Sequence, residues 1–459
     1  MKKLLSLILI LTFNTLLIAQ NKQLVPKFEE RIELLSVVFR LAEAPEYMNN
    51  SIKLYSNSVD SYFENYKKHK VVQLAKKLRK KNGVSFDAVI SMAIHIKIDR
   101  DSVHFNNLLI KNTLDKRWGN SAEAFITQLD NFYRQSQFKS FYMQHQSLYA
   151  IAIKRFEKIA KSVNIKWFEN FFGYTPNGKY HIVLSFLNRG NYGPKASSKS
   201  GEENIYSILC AWKSDSLGYP IFNKNKKETL VHEFCHSFCN QLGDKYYPEM
   251  EAKALDFYKL VSKKMNRQAY GSARTMIYEI LVRASTIKYS EDDGASQAEI
   301  NKMLNIQKAN GFLWIEKLYE NLNKYASERN KYETLDDFMP YIVRLQNLMS
   351  PEKYMMDYSE SCPHILSSSI ENGASNISPD LKEIIIEYDR SMASYGISDK
   401  GNKPNMELEW KNKERTVLCI HVDLEPNTKY LLHFHPPFNV DQYGYPLKEG
   451  LELVFTTQK

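Results

Sequence analysis

Residues 228–243 read ETLVHEFCHSFCNQLG. Apolar side chains recur through them at helical spacing and no proline interrupts, so the segment is expected as a helix over about 226–242. Asn225, three residues before Glu228, can cap its start, and Gly243 is a natural stop. Inside it lies His232-Glu233-Phe234-Cys235-His236, an H-E-x-x-H pattern. On a helix, residues four apart are turned by only about 40° and separated by about 6 Å along the axis. Both imidazoles can therefore reach one metal ion. Zinc accepts His nitrogens and leaves a position open for water in catalytic sites. Glu233 follows the first imidazole in sequence, where it can take the proton of water activated by the metal.

A third ligand is needed. The longer pattern H-E-x-x-H-x-x-G-x-x-H fails, because Cys239 stands at the glycine position and Leu242 at the final histidine. The other common scheme takes a Glu from a later helix. Glu279 is the best candidate, in SARTMIYEILVRASTI (272–287), an apolar helix whose only charges are Arg274, Glu279 and Arg283. A carboxylate there needs a partner, since an unpaired buried charge is costly. A metal would supply one; a plain Glu279–Arg283 pair at i,i+4 would be the structural alternative. Glu249 and Glu251 are weaker candidates, because YYPEME (246–251) leaves little room to return to the site. Arg283, Tyr270 and Tyr278 are candidate donors to a developing oxyanion. Asn240 could orient a ligand.

Working outward, helical patterns cover about 28–44, 51–68, 70–81, 86–96, 120–137 and 139–163. Between them and the motif the period changes. YHIVLSFL (180–187) and NIYSILCAW (204–212) read as strands of a small sheet, joined by a long loop of turn formers. Either could receive an extended peptide by strand addition or be an ordinary core strand. After the motif, helices are expected over about 249–265, 271–288 and 296–350. From Pro363 the composition shifts to short strands, Glu383–Tyr388, Val417–Val422, Lys429–Phe434 and Leu451–Phe455, separated by turns as in a β-sandwich.

The 459 residues carry 62 Lys+Arg against 52 Asp+Glu, a net charge of +10. The basic residues are dispersed with no dense stripe interleaved with aromatics, so no nucleic-acid partner is expected. The opening MKKLLSLILILTFNTLLIAQ has the layout of a secretory signal peptide over 1–20. That implies export to the periplasm or beyond, with no membrane span after its removal. Cys210, Cys235, Cys239, Cys362 and Cys419 are an odd set and not a disulfide framework; Cys235 and Cys239, four apart on a helix, are read as buried thiols, and one disulfide among the other three stays open. Cys235 points off the motif face and lacks the context of a nucleophile. His433 and His435, like the remaining histidines, are expected to have no metal role.

The motif, the downstream Glu and the preceding strands together resemble a gluzincin metallopeptidase. ERIELLSVVFRLAEAPEY (30–47), LVHEFCHSFCN (230–240) and YEILVRA (278–284) are similar to a family of secreted bacterial proteins of uncharacterised function, over roughly residues 28–350. The resemblance implies His232, His236 and Glu279 as Zn²⁺ ligands, Glu233 as catalytic acid/base, and a peptide or protein substrate. SPDLKEIIIEYDRSM (378–392), LEPNTKYLLHF (424–434) and DQYGYPLKEGLELVFTT (441–457) resemble bacterial Ig-like domains of surface-layer and secreted proteins. The expected class is therefore α+β: a predominantly helical zincin-like peptidase domain with a small sheet over 21–365, then an all-β Ig-like sandwich over 366–459. The function expected is a secreted or periplasmic zinc peptidase. The alternative is a non-catalytic surface or binding protein on an inherited peptidase fold.

Overall fold

The computed structural model describes residues 24–223 and 225–459. The expected signal peptide over 1–20 lies outside the described residues. Among the described residues, no helix is long and apolar enough to cross a membrane. The class is α+β, with helices dominating up to residue 360 and strands after it.

A four-stranded sheet organises the first part. Its order is Pro26–Lys27, Tyr180–Ser185, Glu203–Cys210, Lys195–Ser197. The first three run parallel, with Tyr180 opposite Ile205, and the last is antiparallel to its neighbour. The two interior strands read as near-continuous apolar runs because both faces are covered. Helix Glu30–Leu41 covers one face, where Arg31 Nη2 donates to the Tyr206 hydroxyl at 3.0 Å. The motif helix covers the other, where Phe234 packs edge-on against Tyr180 with ring centroids 5.3 Å apart. YHIVLSFL and NIYSILCAW are thus central strands. The edge belongs to the loop between them, whose residues Lys195–Ser197 pair with 203–205, whose Tyr192 bridges Ile208 and whose far end is covered by Leu109 against Ser198.

The motif helix departs from expectation. In place of two helices broken near Gly243 and YYPEME, one 43-residue helix runs Asn225–Arg267 through both Gly243 and Pro248. A proline inside a helix costs about 3 kcal/mol. Tyr246, Tyr247 and Met250 around it are all buried, and burying side chains of that size is worth about 1.5–3 kcal/mol each, so packing outweighs the breaker. Gly243 is not a stop but a point of close approach. A Cβ there would lie 2.5 Å from Tyr278 Cδ1 of the next helix, Ala273–Asp292. The absent side chain lets these two helices pack tightly, and that contact sets the position of Glu279.

The remaining helices follow the expected periodicity, with differences at boundaries. The pattern over 139–163 divides into Phe138–Gln144 and Gln146–Lys161. Ile165–Phe172 is an additional helix, and a hairpin, Ile96–Asp99 with Ser102–Phe105, follows Asp87–His95.

Two hydrophobic cores form. One gathers side chains from Phe28 to Met349, the other from Ile370 to Phe455. In the second, a sheet of order Asn405–Trp410, Val417–Asp423, Glu383–Tyr388, Ile365–Ser368 faces a three-stranded sheet of Lys429–Phe434, Leu451–Thr457 and Ala374–Ile377. Ile384, Ile386, Leu418, Ile420, Leu432, Phe434, Leu453 and Phe455 alternate inward between them. Ala309, Cys362 and Tyr445 form a small cluster at the junction of the two parts. All five cysteines are free and buried.

Candidate metal centre

The motif helix begins under the end of strand Glu203–Cys210, where buried Lys226 donates from Nζ to the Cys210 carbonyl at 2.8 Å. Two turns later, His232 and His236 project from one side of it. Their Nε2 atoms lie 3.2 Å apart. Glu279, from the neighbouring helix, brings Oε1 to 3.5 Å from His236 Nε2 and Oε2 to 3.8 Å from His232 Nε2. A tetrahedral ion holding N and O ligands at about 2.0–2.1 Å separates them by about 3.3–3.4 Å. The three side chains therefore already stand at the spacing of groups that could share one divalent cation.

The polar bookkeeping fits the same reading. Glu279 is buried, and its Oε2 makes no hydrogen bond. Arg283, one turn on, reaches that oxygen at 3.2 Å as an ion pair. The arginine stands behind Glu279 and the imidazoles in front of it. His236 Nδ1 faces Asn240 Oδ1 at 3.1 Å. If the ring proton goes to that amide oxygen, Nε2 keeps its lone pair toward Glu279. Burial, then His236 and Arg283, hold His232 well below the usual histidine range, so its imidazole is neutral, the form that can ligate. The imidazole side chains keep 18% and 15% of their surface exposed, so the centre is open to solvent on one side.

Glu233 is buried beside this group. Burial and the nearby Glu279 carboxylate push its carboxyl well above the ordinary range, against the pull of Arg283 and Lys226. A cation between Glu279 and the imidazoles would offset that repulsion. The loop edge of the sheet runs directly over the motif: a Cβ on Gly193 would sit 1.9 Å from the Glu233 carbonyl oxygen and 3.0 Å from His236 Cβ. Only glycine allows backbone to pass so close.

Other sequence candidates separate clearly. The Tyr270 hydroxyl accepts from Arg283 Nη2 at 2.8 Å, and its phenol, pushed up mainly by burial and by Glu279, lies close to that carboxylate. Tyr278 does not join the group; its hydroxyl donates to Asp244, which also pairs with Arg274. Glu249 and Glu251 are exposed on the same helix as the histidines, about 20 Å beyond His236 along its axis at about 1.5 Å per residue, so they are not brought to the site. Gly193, Tyr192 and Lys226 were not singled out by the sequence. The signal available for them was slight: a glycine among other turn formers and a lysine among many.

The family described as "Domain of unknown function (DUF4932)" matches residues 24–345. No curated protein matches the chain. Among solved structures, surface layer protein SbsC, domains 1–6, is 12% identical, with 55% of this chain and 35% of that chain covered and a TM-score of 0.17. The match thus spans about a third of that structure's length. Sheet, motif helix and glutamate helix all fall inside the matched residues, and the chain belongs to the DUF4932 family.

Proposed function

We propose that this protein is a zinc-dependent peptidase of zincin-like design, with an Ig-like accessory sandwich. The single observation that carries the reading is the convergence of His232 Nε2, His236 Nε2 and a Glu279 oxygen within 4.8 Å of one another, next to a buried Glu233. His232, His236 and Glu279 would hold the ion. When bound, zinc supplies a Lewis acid that polarises a carbonyl and lowers the pKa of water to about 7. Three protein ligands leave a fourth position for substrate or water.

Glu233 takes the proton of the attacking water and hands it to the leaving amine. Arg283 holds Glu279 from behind and Tyr270 in front, so Tyr270 can direct its O–H at the oxygen on which charge develops. The loop backbone at Gly193 flanks one side of the motif helix, where an extended peptide would lie. The leader layout of residues 1–20 supports export as the setting.

The test is hydrolysis of a mixed peptide library near neutral pH. Wild-type protein should cleave, a chelator should stop cleavage and added Zn²⁺ should restore it. Glu233→Ala should keep its metal and lose activity. No chelator-sensitive cleavage of any peptide by zinc-loaded protein would overturn the reading.

A further inference from the structure

The outward face of the four-stranded C-terminal sheet carries a second convergence, independent of the first. Cys419 and His421 lie two residues apart on strand Val417–Asp423 and so share a face. Leu418, Ile420 and Val422 between and beyond them enter the core. Register places Glu383 directly opposite His421 on one neighbouring strand and Glu409 directly opposite Cys419 on the other. His421 Nε2 stands 3.0 Å from Glu409 Oε1 and 3.8 Å from Cys419 Sγ, while its Nδ1 is 3.9 Å from Glu383 Oε1. One ligand atom each from Glu383, Cys419 and His421 lies within 4.8 Å of the others.

We propose that Cys419, His421 and Glu383 form a second site for a borderline-soft divalent cation, Zn²⁺, with Glu409 beside the imidazole and a fourth position left to water. Thiolate and imidazole together select zinc over magnesium or calcium. A tetrahedral ion with S at about 2.3 Å and N at about 2.0–2.1 Å holds them about 3.5–3.6 Å apart, close to the spacing found. Charge also balances. One thiolate and two carboxylates oppose a divalent ion, and the remaining negative charge is met by Lys411, which pairs with Glu383. With the ion bound, Glu383 on one strand is tied to Cys419 and His421 on its neighbour.

The experiment uses the full-length chain, stripped with chelator and titrated with Co²⁺ and with Zn²⁺. Wild-type protein should take up two equivalents. The cobalt form should show the near-ultraviolet thiolate-to-metal charge-transfer band. Cys419→Ser and His421→Ala should each lose one equivalent and that band, whereas His232→Ala should lose the other equivalent and keep the band. Because the Cys419 thiol is buried, its alkylation in wild-type protein requires local opening, and Zn²⁺ should slow it at least tenfold, a readout that needs no variant to fold. A saturated cobalt protein without the band, a band that survives Cys419→Ser, or alkylation of Cys419 unchanged by Zn²⁺ would overturn the proposal, whatever the outcome at the His232 centre.

Discussion

The Nε2 atoms of His232 and His236 face each other at 3.2 Å, while the far nitrogen of His236 sits 3.1 Å from Asn240 Oδ1. Two ring nitrogens at that distance need a proton or a cation between them. The amide of Asn240 decides between them by drawing the His236 proton to Nδ1. Asn240→Ala is expected to weaken zinc binding about 10–100-fold, the usual effect of losing the group behind a ligand. Competition against a chromophoric chelator measures this. Rate at saturating zinc should change little, and an unchanged zinc affinity would show that Asn240 does not set the tautomer.

Tyr270 meets Arg283 Nη2 at 2.8 Å beside Glu279. If its hydroxyl supports the transition state, Tyr270→Phe should lower kcat about 10²–10³-fold, the effect of removing one such donor. KM and zinc content should stay near wild type. A loss confined to KM, or one that tracks metal loss, would move Tyr270 out of the reaction.

Gly193 is the position where the sheet edge crosses the motif. Because its Cβ would come within 1.9 Å of the Glu233 carbonyl, Gly193→Ala must push the edge away from the helix. The overpacking should cost about 1–3 kcal/mol, read as a lower urea midpoint, and should impair peptide cleavage more than zinc binding. A variant with wild-type stability and cleavage would show that the edge is not held there.

Glu33 lies fully buried under the sheet, and neither carboxyl oxygen has a hydrogen-bond partner. Burial lifts it from 4.5 to about 7. The unfolded chain releases this proton from about pH 4.5, the folded chain only near pH 7, so the unfolded state gains on ionisation first. Stability should therefore fall as pH rises from about 4.5 to 7 and level off above, by an amount on the order of 3 kcal/mol. Glu33→Gln should remove most of that slope and be the more stable protein at pH 8 but not at pH 5. Parallel urea midpoints for both proteins across this range would contradict the assignment.

Local chemistry made much of the centre legible. His232, Glu233 and His236 are fixed relative to one another by helix geometry alone, so their spacing suffices. Glu279 stood out because a carboxylate in an apolar helix needs a reason. What the sequence did not show depends on contacts between distant segments. Pro248 and Gly243 look like breakers in isolation, yet buried tyrosines and the Tyr278 ring hold the helix through both. The sheet edge Lys195–Ser197 has only three residues amid turn formers, too few to display alternation. His421 gains its neighbours through strand register, which pairs it with residues 12 and 38 positions away in sequence, Glu409 and Glu383.

The most direct test of the central claim is an anomalous-difference map, measured at the zinc edge, from crystals of zinc-loaded protein. A peak is expected about 2.0–2.2 Å from His232 Nε2, His236 Nε2 and a Glu279 oxygen, with Glu233 beside the open position. A fully zinc-loaded crystal with no peak among those three side chains would contradict it.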